Sequence, residues 1–222
     1  YCAQRDLHSF PTRRSSDLLT QPPSKLKKFR PDQDILWTKE EHANCLSDAL
    51  ERAHSHLLVV SAHAKSSTIE NMCDKLEDAM KRGVHIDLVI GIQETEEESR
   101  IDKLVKELNN KIKYHFYPGS IALHKSAMPS DVKLLLYDTA SEGYQTVLGS
   151  YNWLYEPIIP SSSAKKMQDI SVKLYDSQAV SDIAMTITGW CDKLSPRWQE
   201  INREKIEPST PVAEIGKASF RE

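Results

Sequence analysis

No apolar run in this chain approaches the ~20 residues that cross a bilayer, so no transmembrane segment is expected. Cysteine is scarce, with four in 222 residues. Cys45, Cys73 and Cys191 lie far apart and form no Cys-x-x-Cys pair. That spacing argues against a structural metal site and for reduced thiols of a cytoplasmic protein. A large charge excess is also missing, since 29 basic residues face 32 acidic ones. This balance argues against a globally basic nucleic-acid binder and leaves room for a local basic groove.

Residues Arg5 to Leu18 read RDLHSFPTRRSSDL, which resembles one translated frame of a widely used short-read sequencing adapter. We read residues 1–18 as a library artefact joined to a gene fragment and exclude them from fold reasoning. Resequencing the source locus tests this, because the natural gene would not encode that peptide. Arg13-Arg14 is then no nucleic-acid arm. Those 18 residues hold three Arg and two Asp, so 26 basic and 30 acidic residues remain, a net charge of −4. The remaining length suits one substantial core with extensions.

Residues 19–37 read as a linker, Pro- and Lys-rich at first and without periodicity. Thr38 followed by Glu41 is a capping box for a helix over Thr38–Ala53, with Leu46, Ala49, Leu50 and Ala53 on one face. His56–Ser61 reads as a buried strand. Thr68–Arg82 reads as a helix with Ile69, Met72, Leu76 and Met80 inward and Gly83 as its stop. Val84–Ile90 is a second strand, Glu94–Asn109 a charged helix, and Ile112–Tyr117 a third strand. Strand, helix, strand, helix, strand implies parallel crossovers with helices covering the sheet. The alternation then ends. Ile121–Ala127, Lys133–Asp138 and Gln145–Ser150 are strand-like, the last two joined by the hairpin signal Ser141-Glu142-Gly143. Ile170–Tyr175 is a late strand and Ser177–Lys193 a closing helix. Residues 194–222 form a Pro- and charge-rich C-terminal extension.

The chemistry-bearing stretch is Ile121–Leu154, which ends in Gly149-Ser150-Tyr151-Asn152-Trp153 directly after an apolar strand. His124, Lys125, Lys133 and Asp138 lie upstream of it. Together with AMKRGVHIDLVI and MQDISVKLYD, and with the order of elements, this stretch resembles the HKD motif and surroundings of the phospholipase D-like superfamily. The resemblance covers roughly residues 40–193, within a domain read as 38–193. It implies an α/β/α sandwich, a mixed sheet with helices on both faces.

The resemblance also implies a metal-independent phosphodiesterase that needs no cofactor. In that family one His attacks phosphorus to give a phosphohistidine, and a second motif copy supplies the acid. Lys, Ser and Asn hold the phosphoryl oxygens. With one Gly-Ser-x-Asn here, a complete site would need a homodimer or an upstream copy lost from a fragment. The expected site is catalytic His124, Lys125, Lys133 and Asp138, with Ser150 and Asn152 binding phosphate and no metal. The substrate expected is a phosphodiester, with a nuclease-like hydrolase favoured over a lipase.

The motif departs from the family pattern. Lys125 is adjacent to His124 rather than two residues on, and strand alternation turns the two apart unless a bulge intervenes. The alternative register Asp131–Asp138 keeps Lys133-x4-Asp138 and puts Asp131 where the His belongs. A carboxylate there is repelled by a phosphodiester. The rival reading is a catalytically degenerate binding or assembly module of a larger protein. His63-Ala64-Lys65 is a further His-x-Lys, at the carboxyl end of a strand, where ligands of α/β sheets bind.

Overall fold

The computed structural model describes residues 29–91, 94–125, 132–155 and 169–175, with the helical positions 180, 182, 183, 186 and 187. Its elements are α1 (Pro31–Asp34), β1 (Ile35–Leu36), α2 (Lys39–Arg52), β2 (Ala53–Ser61), α3 (Ser66–Lys81) and β3 (His85–Ile90). They continue with α4 (Thr95–His115), β4 (Ser120–Lys125), β5 (Lys133–Thr139), β6 (Gly143–Gly149) and β7 (Ser171–Leu174).

The local signals act as the chemistry dictates. Thr38 caps α2: its hydroxyl accepts the Glu41 N–H at 3.1 Å, and the Glu41 carboxylate accepts the Thr38 N–H at 2.9 Å. Each end therefore satisfies a donor that the helix leaves open. Gly83, at φ +98°, turns the chain out of α3 in a conformation that costs a Cβ-bearing residue strain. α4 ends on Phe116, a left-handed residue at φ 57°.

One expected element differs. Ile112–Tyr117 is not the third strand, because α4 runs on through His115. Ile101, Val105, Leu108 and Ile112 keep a helical spacing and are all buried, so the shared apolar face overrides the β preference of IKYHFY. The third parallel strand is β4, eight residues later.

Among the described residues the sheet has seven strands, in the order β1-β7-β6-β5-β2-β3-β4. β2 is the pivot: it pairs in parallel with β3 and antiparallel with β5. β3 pairs in parallel with β4, while β5, β6, β7 and β1 pair antiparallel in turn. β1, within the stretch read as linker, therefore forms one edge of the sheet.

Strand alternation sends β2 side chains into two cores. Leu57 and Val59 join Ile86, Leu88, Leu135, Tyr137 and Val147 under α2, α3 and α4. Leu58 and Val60 join Val89, Leu134 and Leu136 on the other face, with Val180 and Ile187 from the late helix. Helices on both faces of a mixed sheet make this an α/β/α sandwich. Full burial of each such aliphatic side chain is worth roughly 1.5–3 kcal/mol before the entropy of ordering is charged against it. Among the described residues no helix is long and apolar enough to cross a membrane.

Candidate functional site

The pairing directions bring one set of strand termini together. β2 ends at Ser61, β5 begins at Lys133 directly opposite Gly149, and β6 ends at that glycine. β7 begins at Ser171, again opposite Gly149. Two loops close over this edge, Ala62–Lys65 after β2 and Ser150–Tyr155 after β6.

The loops are bonded to each other. Ala64 and Leu154 form a parallel bridge, and the Lys65 N–H donates to the Leu154 carbonyl at 2.8 Å. Ser61 Oγ donates to the His63 carbonyl at 2.6 Å and accepts the Leu154 N–H at 3.3 Å. The His63 N–H donates to Asn152 Oδ1 at 3.3 Å. That bond orients the amide, so its NH2 group is the end turned to any further acceptor. His63 and Lys65 are exposed and Asn152 is half-buried.

Ser150 and Gly149 are set by β7. The Ser150 hydroxyl donates to Asp169 Oδ1 at 2.9 Å and accepts the Ile170 N–H at 3.1 Å. A Cβ on Gly149 would lie 2.2 Å from both the Ile170 carbonyl oxygen and Ser171 Oγ. The glycine of the motif is thus required by the close approach of two strands.

Beneath the loop lie Tyr151, Trp153 and His42, all nearly inaccessible. His42 stacks on Tyr151 with ring centroids 4.3 Å apart. Its Nδ1 lies 2.7 Å from the Thr38 carbonyl, which only accepts, so Nδ1 carries the proton. Its Nε2, 2.9 Å from Ser171 Oγ, then accepts that hydroxyl's proton. Burial pushes the His42 pKa below its ordinary 6.5, against the smaller opposing effects of the Thr38 carbonyl, Asp169 and Glu41.

The sign of the linkage follows. The unfolded chain binds a proton at His42 more readily than the folded one, so stability falls as pH drops below about 6.5. The fall continues until the depressed folded pKa is reached, at no more than about 1.4 kcal/mol per pH unit for one group. Urea midpoints between pH 7 and 5 measure it. His42→Gln should flatten that part of the profile, and an unchanged slope would show that another group carries it.

The residues read from the HKD pattern divide between distant places. His124 lies on edge strand β4, and four strand spacings separate β4 from β6, about 19 Å. His124 Nε2 lies 2.6 Å from Asp87 Oδ1, in a buried pair on the face opposite α4. Lys125 points to the other face, where its Nζ pairs with Glu98 at 2.6 Å and Asp102 at 2.7 Å. These carboxylates raise its pKa and hold it charged. Over Ser120–Lys125 β4 pairs with β3 in unbroken register, which sends the two side chains to opposite faces.

Lys133 does stand beside the Gly-Ser-x-Asn loop, at the head of the β5–β6 hairpin. Asp138 is at the far end of that strand, about 17 Å from Lys133. It is buried and accepts the Ser55 N–H at 2.9 Å, the His56 N–H at 2.7 Å and the Ser55 hydroxyl. β2 is irregular there, its register with β5 shifting between Ala53 and Leu57. Asp138 thus closes the backbone of a bulge. Ser126 and Asp131 lie outside the described residues.

Lys133, Ser150 and Asn152 therefore cluster with His63 and Lys65, while His124 and Lys125 sit at the same strand ends but three to four strands to the side, and Asp138 lies at the other end of β5. His63 and Lys65 lie outside the Ile121–Leu154 stretch, and their sequence signal is a His-x-Lys spacing just after a buried strand. Lys65 precedes α3, whose first N–H, Ser66, donates to the Glu97 carboxylate. That bond lowers the Glu97 pKa, so an internal anion already occupies this helix terminus. Among the described residues no group of three or more His, Cys, Asp or Glu is placed to hold a metal ion.

No protein-family model and no curated protein matches the chain by sequence. Likeness appears among solved structures. The phosphatidylserine synthase of Haemophilus influenzae Rd KW20 is 12% identical, the match covering 85% of this chain and 45% of that one, with a TM-score of 0.52. The polyphosphate kinase of Porphyromonas gingivalis is 13% identical over 70% of this chain and 25% of that one, with a TM-score of 0.49. The archaeal chromatin protein TrmBL2 is 12% identical over 85% of this chain and 57% of that one, with a TM-score of 0.43. The chain spans between a quarter and just over half of these structures' lengths. At such identity the likeness is one of fold, and the fold is the phospholipase D-like α/β/α sandwich.

Proposed function

We propose that this chain is a phosphodiester-binding domain of the phospholipase D-like kind, and that it supplies no nucleophile from His124. Lys133 and the Asn152 NH2 group hold the phosphoryl oxygens, and the Ser150 hydroxyl joins them by exchanging its bond to Asp169 for one to the ligand. One observation supports the reading: Lys133 stands opposite Gly149, whereas His124, paired with Asp87, is on edge strand β4, three strand spacings from β5 and four from β6. An ammonium and an amide NH2 are donors suited to a phosphoryl anion, and neither can attack phosphorus well at neutral pH. The binding-module reading thus outranks that of a metal-independent, nuclease-like hydrolase working through a phosphohistidine on His124.

A second reading has its own support. His63, on the loop that holds Asn152, is an exposed imidazole at this end of the sheet. Turnover through His63, with a second copy of the chain giving the acid, would make the protein a phosphodiesterase after all.

Titration with a phosphodiester and hydrolysis of bis-p-nitrophenyl phosphate, both with EDTA present, separate these readings. The expected result is saturable binding without turnover. Lys133→Ala should weaken binding roughly ten-fold or more, the loss of one charge-assisted hydrogen bond. His124→Ala, with its fold checked by circular dichroism, should bind as the wild type does. Turnover abolished by His63→Ala alone would favour the second reading. Turnover abolished by His124→Ala would overturn both.

A further inference from the structure

We infer that Tyr155, with Lys65 and His63 at its ring, is a stacking shelf for a nucleobase, and that the phosphodiester held beside it belongs to single-stranded nucleic acid. The inference rests on the phosphate site proposed above and narrows its ligand.

The loop after β6 carries three aromatic residues in alternation. Tyr151 and Trp153 turn into the core and are 2% and 1% exposed, while Tyr155 turns out and is 37% exposed. An outward aromatic on a loose loop would need no explanation, because single exposed apolar residues are common. Tyr155 is not loosely held. Its N–H donates to the Asn152 carbonyl at 3.1 Å. Its own carbonyl accepts the Thr68 hydroxyl of α3 at 3.2 Å. Its ring meets Lys65 Nζ at 4.0 Å from the centroid and the His63 ring, edge on, at 6.0 Å. Backbone and ring are thus both fixed, and little side-chain entropy remains to be lost when something lands on the ring.

The surroundings select the ligand. A lipid chain needs a continuous apolar rim, and this ring has an ammonium over one face and an imidazole beside it, leaving the other face for a ligand. A nucleotide presents a flat π-face joined to an anion. Sequence-tolerant single-strand binding combines just these elements: cations that follow the backbone and aromatic rings on which bases stack. The same loop that holds Asn152 for the phosphate holds Tyr155 for the base, so one bonded unit orients both. The net acidic chain needs no broad basic face for this, since stacking supplies what counterion release does not.

The test compares three probes at fixed salt by fluorescence anisotropy and vesicle sedimentation: a labelled oligothymidylate, an abasic strand of equal length, and phosphatidic-acid vesicles. Wild type should bind the oligothymidylate roughly ten-fold tighter than the abasic strand, the worth of one base–aromatic stack. Tyr155→Leu should abolish that preference and leave abasic binding unchanged, while Tyr155→Phe should restore it. A melting temperature for each variant separates lost stacking from lost fold. Equal binding of both strands by wild type overturns the shelf and leaves the phosphate site standing. Binding of vesicles in place of either strand overturns it in favour of a lipid. Failure of all three probes to bind a folded protein overturns the phosphate site itself.

Discussion

Replacing Trp153 by alanine should cost about 3–5 kcal/mol of stability, read as a lowered urea midpoint with little change in slope. Trp153 directly follows the Gly-Ser-x-Asn run. It is 1% exposed and packs edge-on against Tyr151 with centroids 5.2 Å apart. His42 from α2 lies 5.6 Å away on a tilted ring. Among the described residues its buried indole N–H has no hydrogen-bond partner, an expensive arrangement that buried donors rarely keep. Trp153→Phe removes that donor and keeps most of the ring, so it should stay within about 1.5 kcal/mol of wild type. The pair separates packing from binding. If Trp153→Phe folds normally and loses phosphodiester affinity, the indole touches ligand and its assignment to the core is wrong.

Asp138→Ala should be nearly as damaging, at about 3 kcal/mol or more. The carboxylate is the acceptor for two backbone N–H groups of the β2 bulge and for the Ser55 hydroxyl. Without it those donors lose their partner inside the protein, where each unsatisfied group costs about 1–3 kcal/mol. Asp138→Asn keeps one oxygen and sets an NH2 group against the Ser55 hydroxyl, so an intermediate loss of about 1–2 kcal/mol is expected. Equilibrium urea unfolding measures both. A phosphodiester titration at a urea concentration where both variants remain folded should give wild-type affinity. Weakened binding there would return Asp138 to the site, as the motif pattern had it.

Much of the fold is legible in short stretches of chain. Thr38 with Glu41, Gly83 after Met80, and the Ser141–Gly143 turn each fix a boundary through bonds made within a few residues. Ile112–Tyr117 is where that reading fails. Its β-branched and aromatic residues favour a strand when taken alone, and only the buried face shared with Ile101, Val105 and Leu108 makes it helix. Nor does a glycine mark its end, since Phe116 takes the left-handed turn itself.

The site divides along the same line. Gly149, Ser150 and Asn152 are visible as a motif because the loop's requirements are local. Whether His124 or Lys133 accompanies them depends on strand order, which no spacing reveals. His124 and Lys133 are nine residues apart in sequence, yet three strand spacings separate their strands, because the chain passes from edge strand β4 back to the middle of the sheet. His63 and Asn152 show the reverse, far apart in sequence and hydrogen-bonded in space. A linear motif ranks residues by the first kind of nearness, and chemistry requires the second.

The two residues of β1 bear on how this molecule behaves at high concentration. Ile35 and Leu36 pair with Val172 and Ser171, and Tyr175 holds the Asp34 carboxylate just before them at 2.9 Å. Without this short strand, β7 would present its open row of N–H and C=O groups to solvent. Such a row recruits strands from other molecules, and a short terminal strand is one way a sheet avoids it. Residues 30–36 therefore act as a guard against self-association, and a chain trimmed back to Thr38 would keep the phosphate loop and lose its protection from aggregation.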